Sequence, residues 1–515
     1  MSSSNDAEFN VSSPLKAKPV AEVSGIDRVQ ESPVKTASNA SKSPKLSPAV
    51  TPSPTVRLVK SANIAFIHPD LGIGGAERLV VDAAVGLQEL NNKITIFTSH
   101  CDRSHCFEEV SSNLLQVKVY GDFLPTTFFN KFYILFAILR QLYLTIKLIV
   151  SGELSTFDYV IIDQLSFCVP LINLFSKHDC KILFYCHFPD QLLSVRKGWI
   201  KKLYRLPFDL IEEWTTGLSD KIVVNSNFTK SIFHKTFNRL SVEPGVIYPC
   251  VDITSTIDTE SDAQVDGFFT KSPFFLSLNR FERKKNVELA VKALAKFRKI
   301  HYSGTKPILV IAGGYANNHR ENQEYLSELE SLCSSLELNH YVLRGGLKFP
   351  LPPSTDVCFL PSISTNLKAS LIKKAKLLLY TPSFEHFGIV PVESMLYKTP
   401  VLAVNNGGPL ESIVNFEKSN LEEATGYTEE PNHDDWAKIM AKHMDLAPEV
   451  TQKLGENGHR RVLKLFSREE MSLAFIKNLQ EAKATSANSV VFGFLKFWRL
   501  EISMVIVSLL IYMYA

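Results

Sequence analysis

Twice along this chain an apolar run of strand length passes through a short turn into an amphipathic helical pattern, and that alternation leaves few folds open. The first series begins at Asn63: NIAFIHPDLGIGGAERLVVDAAVGLQEL followed by KITIFTS reads as strand, Gly-rich turn, helix and second strand, the opening of a Rossmann-like unit. FDYVIID, KILFYCHFPD and DKIVVNS continue it as buried strands ending in polar residues, and EPGVIYPCV, Glu243 to Val251, reads as the last strand. A second series restarts at PFFLSLNRFERKKNVELAVKALAKF, with PILVIAGGY, YVLRGG and VCFLPSI after it. Between them the stretch Asp252 to Gly267 is polar and acidic, and 253–267 is read as a hinge. The expected architecture is two Rossmann-like α/β domains, 58–252 and 268–455, facing a central cleft, with helices over 456–485. A length of 515 residues and 45% hydrophobic content support two full-sized cores.

Within that frame LYTPSFEHFGIVPVESMLYKTP, Leu379 to Pro400, carries the most chemistry. KLLLY suits a buried strand, Gly388 a close backbone approach, and Pro391 the first turn of a helix. Glu385 then sits at a strand's carboxyl end and Glu393 in the helix's first turn, beside free N–H groups and the positive end of the helix dipole. Such a crevice suits a phosphate-bearing ligand whose hydroxyls the carboxylates accept. Glu393 alone fits equally well as an acid that offsets the dipole. In RFERKK, Arg280 follows a strand and Lys285 lies where the next helix begins, so both converge on an anion. Fixed cations of this kind stabilise a departing diphosphate, and the absence of a DxD pair beside a strand favours them over a metal. Arg283 and Lys284 read as a solvated basic turn. His187 closes an apolar strand where it lines the cleft, a position that a merely satisfied polar residue also takes.

A dinucleotide site is the first rival. Gly72 and Gly74 match two glycines of GxGxxG, but Glu77 stands where the third belongs, and Thr98, not an acid, ends the second strand. What survives is a Gly72/Gly74/Gly75 loop on which a phosphate or sugar can approach the backbone. The net charge of +3 makes no case for nucleic acid. Eight scattered cysteines without a CxxC read as reduced thiols facing the cytosol. The NFT triplet at Asn227 matters only on a luminal face. Residues 1–57, rich in Ser-Pro and Thr-Pro steps and in Lys, read as a disordered tail, and no apolar signal segment opens the chain.

Together these features resemble the retaining GT-B glycosyltransferases, the large family that includes glycogen-synthase-like enzymes and bacterial mannosyltransferases, over about Asn63 to Ala482. The family's EX7E signature is matched by Glu385 and Glu393 in PSFEHFGIVPVESM. HPDLGIGGAERLVVDAA, FYCHFPDQLL, NRFERKKN and NNGGPLESI are similar to the branch that acts on dolichol-linked oligosaccharides. The resemblance implies a GT-B fold with a GDP-mannose donor and no metal or cofactor. It implies an acceptor of mannosylated chitobiose on dolichyl diphosphate, extended through α-1,3 and then α-1,6 linkages in N-glycan precursor assembly. It places the enzyme at the endoplasmic reticulum membrane with its catalytic domains on the cytosolic face, beside other transferases of the same pathway. By the same resemblance Glu393 binds the ribose and Glu385 the donor sugar, while Arg280 and Lys285 neutralise the diphosphate. His187 approaches the transferred sugar, Gly74 and Gly75 lie near the phosphates and acceptor, and Gly388 and Ile389 offer N–H groups to the diphosphate. Asn286 departs from the pattern, since many relatives have Gly there. A transferase using another nucleotide sugar and a non-catalytic membrane scaffold remain open readings, the second disfavoured by the intact site residues.

A lipid-linked acceptor calls for a membrane surface. Residues 123–150 are apolar and aromatic, but Lys131, Arg140 and Lys147 interrupt them, which favours a helix lying in the interface. Over 489–515 the uninterrupted apolar part, Ile502 to Ala515, is short of the roughly twenty residues that a span needs. Counted from Val490 the segment is long enough to span but holds Lys496, Arg499 and Glu501, so it reads as an anchor of hairpin-like or interfacial form slightly ahead of a true span. Truncation after Ala482 is expected to spare GDP-mannose binding and to impair transfer to long-lipid acceptors. Vesicle co-sedimentation checks this, and undiminished membrane association after truncation refutes the tail's role.

Overall fold

The computed structural model describes residues 61–482, apart from 130, 194–198, 254–257, 271, 302–305 and 348, together with residue 498. The 1–57 tail and, but for residue 498, the 489–515 segment lie outside the described residues.

Two seven-stranded sheets form the framework. The first contains β1 (Asn63–His68), β2 (Lys93–Thr98), β3 (Gln116–Val119), β4 (Tyr159–Asp163), β5 (Lys181–Cys186), β6 (Lys221–Val224) and β7 (Gly245–Val246), in the order β3-β2-β1-β4-β5-β6-β7. The second contains β8 (Phe274–Leu278), β9 (Ile308–Gly313), β10 (His340–Val342), β11 (Val357–Pro361), β12 (Leu377–Tyr380), β13 (Val401–Val404) and β14 (Gly426–Glu429), in the order β10-β11-β9-β8-β12-β13-β14. Every paired strand runs parallel. Because parallel strands need helical crossovers, both faces of each sheet are covered, and the strands are apolar throughout instead of alternating. In β1, Ile64 and Phe66 face one core cluster while Ala65 and Ile67 face the other. β8 divides in the same way, Phe275 on one side and Phe274, Leu276 and Leu278 on the opposite one. The first sheet's strand order reverses between β1 and β4; in the second, β11 inserts between β9 and β10 and the chain then crosses to the other side of β8 at β12, and ligands of such sheets bind in the crevices at β1/β4 and β8/β12.

The expected hinge needs correction. Most of it is a helix, Thr259–Phe269, capped by the Asp258 side chain and buried in the second core through Val265, Phe268 and Phe269. Its acids are anchored: Lys373 and Lys374 each reach 2.7 Å, to Asp262 and Asp266. That acidity had read as a hinge, yet it serves helix-to-helix pairing within the second half. The chain crosses back at Phe466–Ser467, whose strand of backbone lies beside the outward crossing, Val251 donating to the Phe466 carbonyl at 3.0 Å. The following helix, Arg468–Glu481, then packs on the first half, with Met471, Phe475, Ile476 and Leu479 inside its core. Three strands, β3, β13 and β14, had not been anticipated from the sequence.

The apolar segment at 123–150 forms the helix Tyr133–Val150, the one helix among the described residues long and apolar enough to cross a membrane by length and composition. Ile138, Gln141, Leu144, Thr145 and Leu148 make a buried stripe against the first sheet, and Arg140 is buried as well, donating to the Ser99 carbonyl. Leu139, Tyr143, Ile146 and Val150 face outward. The Arg140 charge therefore belongs to the interior of the domain and not to a lipid-water boundary.

Phe475 is fully buried and stacks on Tyr185 of β5 at 5.9 Å. Phe475→Ala is expected to destabilise the first half by about 3–5 kcal/mol, read as faster hydrogen exchange in the Gly75–Glu89 helix and in β5. Unchanged exchange there refutes the cross-domain role of the last helix.

Candidate active site

At the second sheet's reversal point, the loops after β8 and β12 meet. Lys285 lies in a short 3₁₀ turn, Arg283–Lys285, and its ammonium donates to Glu385 Oε1 at 2.6 Å. The Thr381 hydroxyl, at the end of β12, donates to the Lys285 carbonyl at 2.7 Å and ties the two loops together. Asn286 takes the left-handed conformation at φ 49°, which glycine adopts freely and asparagine tolerates, so its departure from the family pattern leaves the turn intact. Arg280 is mostly exposed and pairs with Glu282 at 3.3 Å, a contact that solvent weakens. Arg283 is occupied by Glu324 and Glu328, and Lys284 by Glu282, so both serve the surface as read.

The helix Ile389–Leu396 starts from Gly388, whose φ of 79° favours glycine, and no side chain caps its first turn. Its first N–H groups stand open for an anion. Glu393 is the fifth residue of this helix and so lies beyond the first turn where it had been expected. The dipole-offset reading loses its basis, and Glu393 instead accepts from Lys368 of the Thr365–Lys374 helix at 2.8 Å. Both carboxylates of the signature thus rest against lysines. Lys368 had escaped the sequence reading because nothing at its own position marks it.

The first sheet supplies a second cluster at its own reversal point. His68 ends β1, Asp163 ends β4, and His187 directly follows β5. His68 Nδ1 is 2.7 Å from Asp163 Oδ2, and its Nε2 is 3.0 Å from the Asp70 carbonyl. His187 Nε2 approaches Asp163 Oδ1 to 2.6 Å, off the ideal hydrogen-bond line. Burial alone opposes charge on His68, but Asp163 and Glu77 outweigh it and raise its pKa to about 9. Burial likewise opposes the Asp163 carboxylate, and His187 and His68 together hold its pKa down to about 2. Glu77, which spoiled the dinucleotide motif, has Oε1 3.9 Å from His68 Nε2. Its carboxylate occupies the space that a Cβ on Gly74 would need, 2.2 Å away, while Gly75 has open space beside it. His68, Asp163 and Glu77 were not recognised as site residues from the sequence; the placement of His68 and Asp163 at neighbouring strand ends was the available signal.

The two halves meet beside these clusters. Phe188, next to His187, stacks on His386, next to Glu385, with centroids 3.8 Å apart and planes 7° from parallel. The Ser226 hydroxyl donates to the His386 carbonyl. Glu411, in NNGGPLESI, accepts from the N–H groups of Asn227 at 2.9 Å and Phe228 at 2.7 Å, the start of the Asn227–Thr236 helix. The Asn227 amide and Tyr248 hydroxyl also reach it, at 2.8 and 3.0 Å. The sequon-like asparagine is thus an interdomain contact. His187, Glu385 and Lys285 are brought to one cleft, whose walls are the carboxyl ends of both sheets. All eight cysteines are free.

Residues 73–255 match the family model described as Glycosyltransferase Family 4, and residues 258–346 and 351–461 the one described as Glycosyl transferases group 1. The chain is 59% identical over 461 residues to the alpha-1,3/1,6-mannosyltransferase ALG2 of Debaryomyces hansenii, covering 87% of this chain and 97% of that relative. It is 49% identical to the protein of that name from Saccharomyces cerevisiae, covering 81% and 84%. Among solved structures it resembles sucrose-phosphate synthase from Thermosynechococcus elongatus, with TM-score 0.61, 18% identity and coverage of 82% and 98%. A glycosyltransferase from Rickettsia africae gives TM-score 0.59 at 16% identity, covering 82% and 98%. These two likenesses establish the GT-B fold.

Because the pKa of His68 rises on folding from about 6.5 to about 9, its contribution to stability is complete below pH 6.5 and is lost as pH climbs towards 9. The thermal midpoint of the first half is expected to fall over that window, and His68→Gln to flatten the fall while lowering the midpoint at pH 6. Equal slopes in the two proteins would contradict the charged state of His68.

Proposed function

Given that the chain belongs to the alpha-1,3/1,6-mannosyltransferase family of GT-B glycosyltransferases, we propose that its donor is GDP-mannose and its acceptor a dolichyl-diphosphate-linked oligosaccharide. It is a glycosyltransferase with a sugar-nucleotide donor and a glycan acceptor. On this reading it adds mannose first to Man-GlcNAc2 and then to Man2-GlcNAc2, through α-1,3 and α-1,6 linkages.

The observation that carries the site is the pairing of Lys285 with Glu385 at the carboxyl end of β12, directly beside the Phe188–His386 stack that brings His187 across the cleft. A diphosphate entering here draws Lys285 and Arg280 to itself, helped by the uncapped N–H groups at Gly388 and Ile389. Glu385 is then released to accept from mannose hydroxyls, and Glu393 from the ribose. As the bond from the anomeric carbon to the β-phosphate oxygen breaks, these cations stabilise the charge that collects on that oxygen. The acceptor hydroxyl attacks from the same face and gives its proton to the departing phosphate, which preserves the anomeric configuration. His187 and the Gly74–Gly75 loop border the sugar and acceptor from the opposite wall. Fixed cations take the part that a metal plays elsewhere, so transfer is expected to persist in a chelator.

The membrane reading rests on the outer face of the first half. Phe129 is 82% exposed and Trp199 73%. Phe132 meets Tyr204 at 5.7 Å, so the Tyr133–Val150 helix and the Trp199–Thr216 helix share one aromatic surface. Lys131, Lys147, Lys201 and Lys202 are exposed on the same two segments. Apolar rings flanked by lysines suit an anionic bilayer face, in keeping with the cytosolic side of the endoplasmic reticulum. That surface also suits work beside other transferases of the pathway.

Purified protein with GDP-mannose and a synthetic lipid-linked trisaccharide should yield products whose linkages are α-1,3 and α-1,6. Titration calorimetry should find GDP bound and UDP not. Glu393→Ala should weaken donor binding, and Lys285→Ala should cost on the order of 2–4 kcal/mol in the transition state. Wild-type rates in both variants would sink the site assignment, and preference for UDP would sink the donor.

A further inference from the structure

Asp163 is fully buried, yet nothing in the donor chemistry requires a carboxylate at the end of β4. Its two oxygens are divided between two histidines, His68 on one side and His187 on the other. The three residues stand at the carboxyl ends of adjacent strands, β1, β4 and β5, which pair in register. Both ring nitrogens of His68 face groups that only accept, the Asp163 carboxylate and the Asp70 carbonyl, so both must carry protons. That charged ring in turn lies 3.9 Å from Glu77, whose carboxylate fills the hollow beneath Gly74. Alternating charges thus run from Glu77 at the glycine loop through His68 to Asp163, whose other oxygen faces His187.

We propose that Asp163 is a positioning residue for the transfer: held by protonated His68, it fixes the ring and tautomer of His187, and through Glu77 couples that ring to the Gly72–Gly75 loop. An ionised carboxylate facing Nε2 keeps the proton on that nitrogen and leaves Nδ1 with its lone pair as the ring's acceptor. A carboxylate behind a histidine that meets the substrate is the arrangement by which imidazoles are oriented in catalytic sites generally. Asp163 itself, buried behind both rings, is not proposed to touch the substrate. Its histidine neighbours hold the Asp163 carboxyl below the usual carboxylate range against the pull of burial, so it faces both rings as the anion. The proposal rests on the functional reading above only in taking His187 as the sugar-facing residue.

The test uses the full-length chain in lipid nanodiscs. Asp163→Asn is expected to lower kcat with GDP-mannose about 100-fold, as loss of orientation at a reacting centre does, with KM for the donor and Kd for GDP within about threefold of wild type. Asp163→Glu, which keeps the charge, should recover part of kcat. Selective ¹⁵N-histidine spectra, with the His187 signals identified by their loss in His187→Gln, should place the wild-type proton on Nε2 and report its redistribution in Asp163→Asn. A kcat near wild type in a folded Asp163→Asn protein overturns the proposal, and so does a wild-type His187 protonated on Nδ1 alone. The spectrum of the wild-type protein decides even where the Asn variant fails to fold. Failure of wild-type protein to use GDP-mannose would strike the functional reading and leave the tautomer result standing.

Discussion

Two sheets make one site only if their carboxyl ends are held against each other, and the Glu411 carboxylate is the charged contact that holds them. It sits on the first N–H groups of the Asn227–Thr236 helix, where the helix dipole and two charge-assisted hydrogen bonds act together. The same short segment supports the loop of Glu385 from below. Gly408 donates to the Glu385 carbonyl at 2.8 Å and lies so close to Phe387 that a Cβ there would sit 2.2 Å from its carbonyl oxygen. NNGGPLESI therefore does two things within a few residues: it beds the loop that carries Glu385, and it ties that loop's domain to the opposite half. The Phe188–His386 stack then sets the separation of His187 from Glu385.

How much of this was legible in the sequence follows from how local each signal is. Two parallel sheets, the turn after β8 and the strand-to-helix step after β12 were readable because apolar runs and the residues that interrupt them lie together in the chain. The acidic stretch after Val251 misled because composition cannot tell a solvated linker from a helix whose acids are met by Lys373 and Lys374 some hundred residues on. Arg140 misled in the same way, its charge buried against Ser99 and not at an interface. β3, β13 and β14 are no more than four residues each, too short to announce themselves. The last helix crosses to the first half for a reason visible only in space, since Met471 and Phe475 fill a gap beside Tyr185.

The site residues divide along the same line. Glu385, Glu393, Lys285 and Arg280 stand in compact motifs. His68, Asp163 and Glu77 come from three separate segments and converge only because β1 and β4 are neighbours at the reversal of the strand order. Glu77 had counted against the chain as a failed third glycine, and the structure gives that failure a purpose. A carboxylate at that position is compatible with the fold because the residue at 74 lacks a side chain, so the missing glycine and the present one are two parts of one arrangement.

The charges of the cleft are matched in pairs. Lys285 with Glu385 and Lys368 with Glu393 are each partly buried, and each would leave a poorly solvated charge behind if its partner were removed. On the proposed roles, a sugar nucleotide offers partners to both kinds of group, because its ends have opposite needs: the diphosphate accepts from cations, while the hexose and ribose hydroxyls donate to carboxylates. A ligand with only the phosphate takes the lysine and strands Glu385, and one with only the sugar does the reverse. On that reading the cleft discriminates between the intact donor and either fragment through exchange of partners, not through additional contact area.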